Sequence, residues 1–349
     1  MKITLNNCTE PVMKSSQATI KDIARELGIS PSTVSRALKD HPDISPKTRK
    51  AVKELAEKLN YEPNAIALSL RNRSSRTVGV IIPEIVHYFF SSVISGIEEI
   101  AYESGYTVII CQSNEDYEKE KNIIHTLMSK RVDGILVSVS KTTTNYDHFL
   151  ELQKSNIPVV FYDRVLNIPH SDRVIVDDYT GAYKAVSHLI SVGCKRIAHL
   201  ATSQELMIGR NRKAGYIQAL KDHDIEIDEE IILRCDTDKH AQKCIPYILS
   251  LQKKVDGIFA VNDLTAITSM SIIKRSGYKI PDDIAIVGFS NSIYSSMTDP
   301  PLSTVEQQGN EVGKKAISLL IGRIQAEESI ESRVEQIKTE LIVRGSSQR

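Results

Sequence analysis

A chain of 349 residues, 41% hydrophobic and 25% charged, is long enough for two or three domains and ordinary for a globular protein. Its 44 Lys/Arg balance 44 Asp/Glu, yet residues 1–76 hold 14 basic against 8 acidic side chains, leaving 30 against 36 in the remainder. This asymmetry suits phosphate contact by the N-terminal segment alone, no apolar run approaches the ~18–20 residues of a membrane span, and five scattered cysteines without a CxxC pair argue against zinc or a disulfide framework.

Residues 1–17 are polar and featureless, and are expected to form a flexible extension. They hold no apolar core of secretory length, so the expected location is the cytoplasm. Next, Ile20, Ile23, Ala24 and Leu27 fall on one helical face, with Thr19 before them as N-cap and Asp22 placed to reach back. Gly28 supplies a turn. Ser30-Pro31 then caps and opens a second, short helix to about Leu38, with Val34 and Leu38 inward and Ser32, Thr33, Ser35 and Arg36 outward. Two helices joined by a tight Gly-containing turn have the geometry that lays the second in a DNA major groove. Ser45-Pro46 repeats the signal for a third helix, with Val52, Leu55 and Leu59 inward. Pro63-Asn64 opens a very short fourth through Leu70.

The runs TIKDIARELGISPSTVSRAL and SPKTRKAVKELAEKLNYEPNAIALSLR resemble the DNA-binding head and hinge of the lactose repressor (LacI/GalR) family, and the resemblance extends over about 95% of the chain. It implies an α+β multi-domain protein: an all-α helix-turn-helix head and a two-lobed α/β body like the periplasmic binding proteins. The domains expected are an extension (1–17), a head (18–62), a hinge helix and linker (63–76) and an effector-binding and dimerisation body (77–349). Lobe 1 would hold about 77–161 and 291–322, and lobe 2 about 162–290 and 323–345. Arg36 would read a base edge, and Pro31, Ser32 and Ser35 would share its reading helix. Thr19, Ser30, Thr33, Ser45, Tyr61 and Asn64 match positions that mostly hold phosphates or fix register. Ala67 and Leu70 lie in the hinge, where the family leucine matched by Leu70 wedges into the minor groove of the operator. Two heads on a dimer axis would bind a pseudo-palindrome, so a homodimer is expected.

After the basic linker Asn72–Arg76, strands and helices alternate strictly. TVGVIIP at 77–83, DGILVSV at 133–139 and PVVFYD at 158–163 are β-branched runs of buried type, separated by amphipathic helices, which means parallel sheets covered on both faces. The alternation restarts at Val174 and runs through RIAHLAT (196–202) to IAIVGF (284–289). KRVDGILV (130–137) and KKVDGIFA (253–260) are near-copies, suggesting two similar lobes. Residues Pro300–Gln307 and the helix Gly309–Ile324 are expected to return to the first lobe, and Val334–Arg344 to form an edge strand.

Ligands of open α/β sheets sit beyond the carboxyl ends of strands, which makes Ser138, Asp163-Arg164, Asn262-Asp263 and Ser290 suspects. Matched to the family, Phe89 and Phe90 would stack on an effector while Asp163, Arg212 and Asn262 bond its polar groups. Many members carry an aspartate where this chain has Ser290. Loss of that carboxylate weighs against a neutral multi-hydroxyl sugar and leaves room for an anionic ligand, such as a sugar acid, with which Arg164 and Arg212 are compatible. Asp263 suits helix capping as well as ligand contact.

The reading is a transcriptional regulator, expected to be a repressor, of double-stranded operator DNA under a small-molecule effector. A solute-binding protein shares the body but not the basic head. An enzyme is disfavoured by the lack of G-x-G-x-x-G, GxxxxGK[ST] and G-x-S-x-G motifs. No cofactor or metal is expected.

Overall fold

The computed structural model describes residues 18–61, 74–326 and 331–349. The chain divides after Ser75 into two compact units. The expected extension and most of the expected hinge, including Asn64, Ala67 and Leu70, lie outside the described residues.

In the first unit three helices, α1 (Ile20–Leu27), α2 (Pro31–Leu38) and α3 (Pro46–Lys58), enclose Ile23, Ala24, Val34, Ala37, Val52, Leu55 and Ala56. The turn between α1 and α2 depends on Gly28 at φ 66°, a left-handed conformation that side chains with a Cβ resist. Ser30 and Ser45 each accept a backbone N–H at 3.1 Å, from Thr33 and Thr48, and so cap α2 and α3. Val34 and Ala37 are the fully buried residues of α2, and Leu38 packs at the margin of the core.

The second unit holds two six-stranded sheets. Strands β1 (Thr77–Ile82), β2 (Thr107–Gln112), β3 (Gly134–Val137), β4 (Val159–Tyr162), β5 (Asp172–Val176) and β11 (Val334–Ile337) form the first, in the order β11-β5-β4-β3-β1-β2 and parallel throughout. The second contains β6 (Ile197–Ala201), β7 (Ile232–Arg234), β8 (Gly257–Ala260), β9 (Ala285–Phe289), β10 (Ser303–Glu306) and β12 (Glu340–Ile342), in the order β12-β10-β9-β8-β6-β7. Only β12 runs antiparallel to its neighbour there.

The two sheets repeat one plan. The near-copied segments become β3 and β8, each beside the first strand of its sheet. In both, the aspartate before the strand does the same job. Asp133 accepts the Arg76 N–H at 3.0 Å, and Asp256 accepts the N–H groups of Lys195 and Arg196 at 2.8–3.0 Å.

The expected lobe boundaries need correction. Strand β5 pairs with β4, so the first lobe extends past residue 161 to Val176. Strand β10 pairs with β9, so the chain returns to the first lobe only after Glu306, through α11 (Gly309–Gln325). The C-terminal segment is not one edge strand: β11 closes the first sheet and β12 the second. Each short strand can extend either sheet, and nothing local in the sequence selects between them. The chain therefore crosses between lobes three times, near Asp177, Gln308 and Lys338-Thr339. These crossings are stitched together: Asp177 N–H donates to the Ile337 carbonyl at 2.9 Å, and Gln308 Nε2 to the Lys338 carbonyl at 3.1 Å.

In the first lobe α4 (Tyr88–Glu103) packs against α11 at backbone contact, because Gly96 faces the Asn310 carbonyl and Gly313 faces the Val93 carbonyl. Among the described residues no helix is long and apolar enough to cross a membrane.

Candidate DNA-reading face and effector cleft

The head presents α2 outward. Pro31, Ser32 and Arg36 are exposed, Thr33 and Ser35 half-buried, and among the described residues no hydrogen bond or ion pair restrains the Arg36 side chain. The Ser30 hydroxyl lies 2.8 Å from those of Ser32 and Thr33, so capping and a polar outer face share one cluster. Asp22 accepts from both the backbone N–H and hydroxyl of Thr19, at 3.0 and 2.6 Å, and these bonds hold its carboxyl below the usual range. Ser45 is exposed and Tyr61 half-buried at the edge of the head core. Lys53 pairs with Asp40 at 2.7 Å, which takes one lysine of α3 out of the free basic surface.

In the second unit a cavity of about 70 Å³ opens between the lobes. It is lined by Phe89 and Phe90 on α4, by Asp163 and Arg164 after β4, by Asn262 after β8, by Ser290 after β9 and by Arg212 on α8 (Met207–Asp222). The site thus forms where carboxyl ends of strands from both sheets face each other. The Phe rings meet edge to face with centroids 5.5 Å apart, both largely buried.

Two sequence candidates do not line the cavity. Ser138 follows β3 but is fully buried, and its hydroxyl has no partner among the described residues. Asp263 is turned into the second lobe, where its carboxylate takes the Ser292 N–H at 2.6 Å and the Thr304 hydroxyl. It is a clamp between α10 (Asp263–Arg275), the segment after β9 and β10; Asn262, not Asp263, caps α10 by accepting Thr265 N–H at 2.8 Å.

His87, Lys141, Thr202, Asp236 and Gln307, none of them a candidate from the sequence, also line the cavity. Thr202 directly follows β6 and Asp236 lies two residues past the end of β7, so the strand-end rule reaches both. Lys141, on a loop beyond β3, carries no such signal.

Charges around the cavity are mutually committed. Arg212 bonds Asp178 through Nε and Nη2, at 2.8 and 2.7 Å, and the Val261 carbonyl through Nη1 at 2.5 Å, with its plane over Phe289. Arg164 grips Glu115 at 2.8 Å; burial pushes that carboxyl up, yet Arg164 and Lys141 hold it below its ordinary value. Asp236 accepts from Thr202 at 2.8 Å and contacts Lys141 and His240 at 3.0 Å; against burial, these partners bring its pKa down to about 2. His87 is shifted down, chiefly by burial, with Glu84 pulling the other way.

Asp163 is the exception. Among the described residues no hydrogen bond reaches its carboxylate, and its nearest cation atom is Arg164 Nε at 4.0 Å. Burial raises its pKa to about 6, with Arg164 opposing. A buried carboxylate with open acceptor sites calls for a ligand rich in O–H or N–H donors. The Ser290 hydroxyl donates to Gln307 Oε1 at 2.7 Å, and the Ser290 backbone sits at φ 122°, a strained conformation of the kind found at binding sites. Among the described residues, no group of three or more His, Cys, Asp or Glu side chains is placed to hold a metal ion.

Comparison with known proteins agrees with this architecture. Residues 75–344 match the family described as periplasmic binding proteins and sugar binding domain of LacI family, and residues 19–64 match the bacterial regulatory proteins, lacI family. The HTH-type transcriptional repressor PurR of Vibrio campbellii is 35% identical over 333 residues, covering 94% of this chain and 98% of the relative. Among solved structures, a complex of the transcriptional regulator CelR with cellobiose superposes with a TM-score of 0.72 at 27% identity, over 94% of this chain and 99% of that one. The lac repressor dimer bound to operator and the anti-inducer ONPF superposes with a TM-score of 0.81 at 23% identity, over 96% and 100%. The chain belongs to the LacI family of transcriptional regulators, with a helix-turn-helix DNA-binding head and a periplasmic-binding-protein-like effector domain.

Proposed function

We propose that this chain acts as a homodimeric repressor in the cytoplasm, whose two heads bind a pseudo-palindromic operator and whose cleft takes a small hydroxyl-rich effector. The observation that carries the reading is the pairing, in one chain, of an outward Arg36 on a capped recognition helix with a buried Asp163 between two lobes, neither side chain hydrogen-bonded among the described residues. Arg36 reads a base edge; Pro31, Ser32 and Ser35 line the same face; Thr19, Ser30, Thr33, Ser45 and Tyr61 hold phosphates or register. Asn64, Ala67 and Leu70, outside the described residues, complete the contact by family resemblance, with Leu70 as the minor-groove wedge. Two heads are needed because one small head binds weakly and mainly through phosphates.

In the cleft Phe89 and Phe90 supply an apolar wall, Asp163 accepts ligand hydroxyls, and Arg212, Asn262 and Ser290 present further polar groups. The cellobiose complex of CelR supports a sugar or sugar derivative as the effector class. The test is a thermal-shift panel of neutral sugars and their corresponding acids on the full-length protein, each hit then being added to the protein–operator complex. The reading expects at least one ligand to raise the melting temperature and to change operator affinity. A ligand that stabilises the protein but leaves DNA binding unchanged at saturation contradicts it.

A further inference from the structure

Among the described residues, one ion pair joins the two lobes away from the three chain crossings. Lys141, on the loop after β3, places Nζ 3.0 Å from Asp236 Oδ2, just after β7 of the other sheet. Both side chains are largely shielded, at 20% and 5% exposure, and both line the effector cavity.

Each end is held before the pair forms. On the first lobe, Glu115 accepts the Lys141 backbone N–H at 2.8 Å and lies 3.7 Å from its ammonium, while Arg164 anchors Glu115 itself. Glu120 pins the same loop through Ser140 N–H and the Thr143 hydroxyl, both at 2.8 Å. On the second lobe, Thr202 and His240 hold the Asp236 carboxylate, and Asn262 Nδ2 holds its carbonyl at 3.3 Å. An exposed ion pair gains little, because ordering two long side chains cancels the attraction. Here the ordering is done by other bonds, and the surroundings are shielded from solvent, so more of the attraction survives.

We propose that Lys141–Asp236 is a clasp that holds the lobes together in the absence of effector and withdraws Lys141 from the ligand. A ligand whose acid group takes Lys141 as its counter-ion competes with Asp236 and breaks the clasp. A neutral polyol reaches Asp163 with the clasp intact. The clasp therefore favours neutral effectors over acids, although Arg164, Arg212 and Lys141 all stand around the cavity. Its regulatory meaning rests on the effector-cleft reading given above.

The test is amide hydrogen exchange on the full-length protein without effector or DNA, for wild type, Lys141→Met, Asp236→Asn, the double variant and the charge swap Lys141→Asp with Asp236→Lys. Exchange at 138–142 reports the first lobe and at 236–240 the second, with the core strand β8 as a control for folding. A clasp predicts that either single change speeds exchange in both segments by on the order of tenfold, that the double variant adds little, and that the swap recovers part of the protection. Effects confined to the mutated lobe, or fully additive in the double variant, would overturn the clasp. Because no effector is used, that result would leave the effector-cleft reading standing. A ligand panel without hits would in turn leave the clasp standing.

Discussion

The Ser290 hydroxyl donates a 2.7 Å hydrogen bond to Gln307 Oε1, tying the end of β9 to the segment by which the chain leaves the second lobe. Gln307 is 2% exposed and next to Gln308, whose backbone lies at φ 54° in the middle crossing. A cavity-lining residue is thus bonded directly to the inter-lobe connection. Replacing Ser290 with Ala leaves a buried acceptor unpaired and is expected to cost about 1–2 kcal/mol, read as a lower urea midpoint.

The Arg36 side chain has no hydrogen-bond or ion-pair partner among the described residues, so its loss should be silent for folding. Arg36→Ala is expected to keep the wild-type melting temperature while losing roughly 1–3 kcal/mol of discrimination at one symmetric base pair per half-site. Competition between operator variants differing only at that position checks it. Unchanged discrimination would assign Arg36 to phosphate contact.

His199 gives a pH dependence with a defined sign. It is fully buried, stacked on Tyr216 and Phe259, with Nδ1 3.2 Å from the Phe259 carbonyl and Nε2 without a partner among the described residues. Burial lowers its pKa to about 4. Below its ordinary range near 6.5 the unfolded chain therefore binds a proton that the folded chain refuses. The stability is present above pH 6.5 and is lost as pH falls toward 4, by about 2 kcal/mol between pH 7 and pH 5. Asp163, with its pKa raised to about 6, works in the opposite sense, since its folded form takes up the proton first. Urea unfolding at the two pH values separates them: His199→Phe should remove the acid-side loss, whereas Asp163→Asn should deepen it.

Asn262 both caps α10 and faces the cavity. Asn262→Ala should lower stability by about 1 kcal/mol through the lost cap and also abolish the effector response. Asn262→Ser, which keeps a capping oxygen on a shorter side chain, should restore the melting temperature but not the response.

The α4–α11 contact sets the steric limit of the first lobe. A Cβ at Gly313 would collide with the Val93 carbonyl, which cannot yield without moving α4. Gly313→Ala is expected to cost several kcal/mol, visible as poor recovery of folded protein or a strongly reduced melting temperature.

The head was legible almost to the residue because its signals are local: Ser30-Pro31, Ser45-Pro46 and Gly28 each mark a boundary by their own backbone chemistry. The alternation of strands and helices in the body was equally readable, since buried parallel strands are continuous apolar runs. What escaped was long-range. The assignment of β10, β11 and β12 to one sheet or the other depends on partners far away in sequence. Lys141 and Asp236 are ordinary loop charges until three crossings bring the lobes face to face. Ser138 and Asp263 obey the strand-end rule in sequence yet turn into the core, because that rule locates a backbone position and not a side-chain direction.

Every role proposed for the head depends on recognition of a specific two-fold DNA sequence. Selection of the full-length protein on a random duplex pool at moderate salt, with sequencing of the survivors, tests it most directly. An enriched pseudo-palindrome with a deformable central step is expected, with loss of that central preference in Leu70→Ala. Retention of DNA without any enriched sequence, with or without a metabolite extract in the binding reaction, would contradict it.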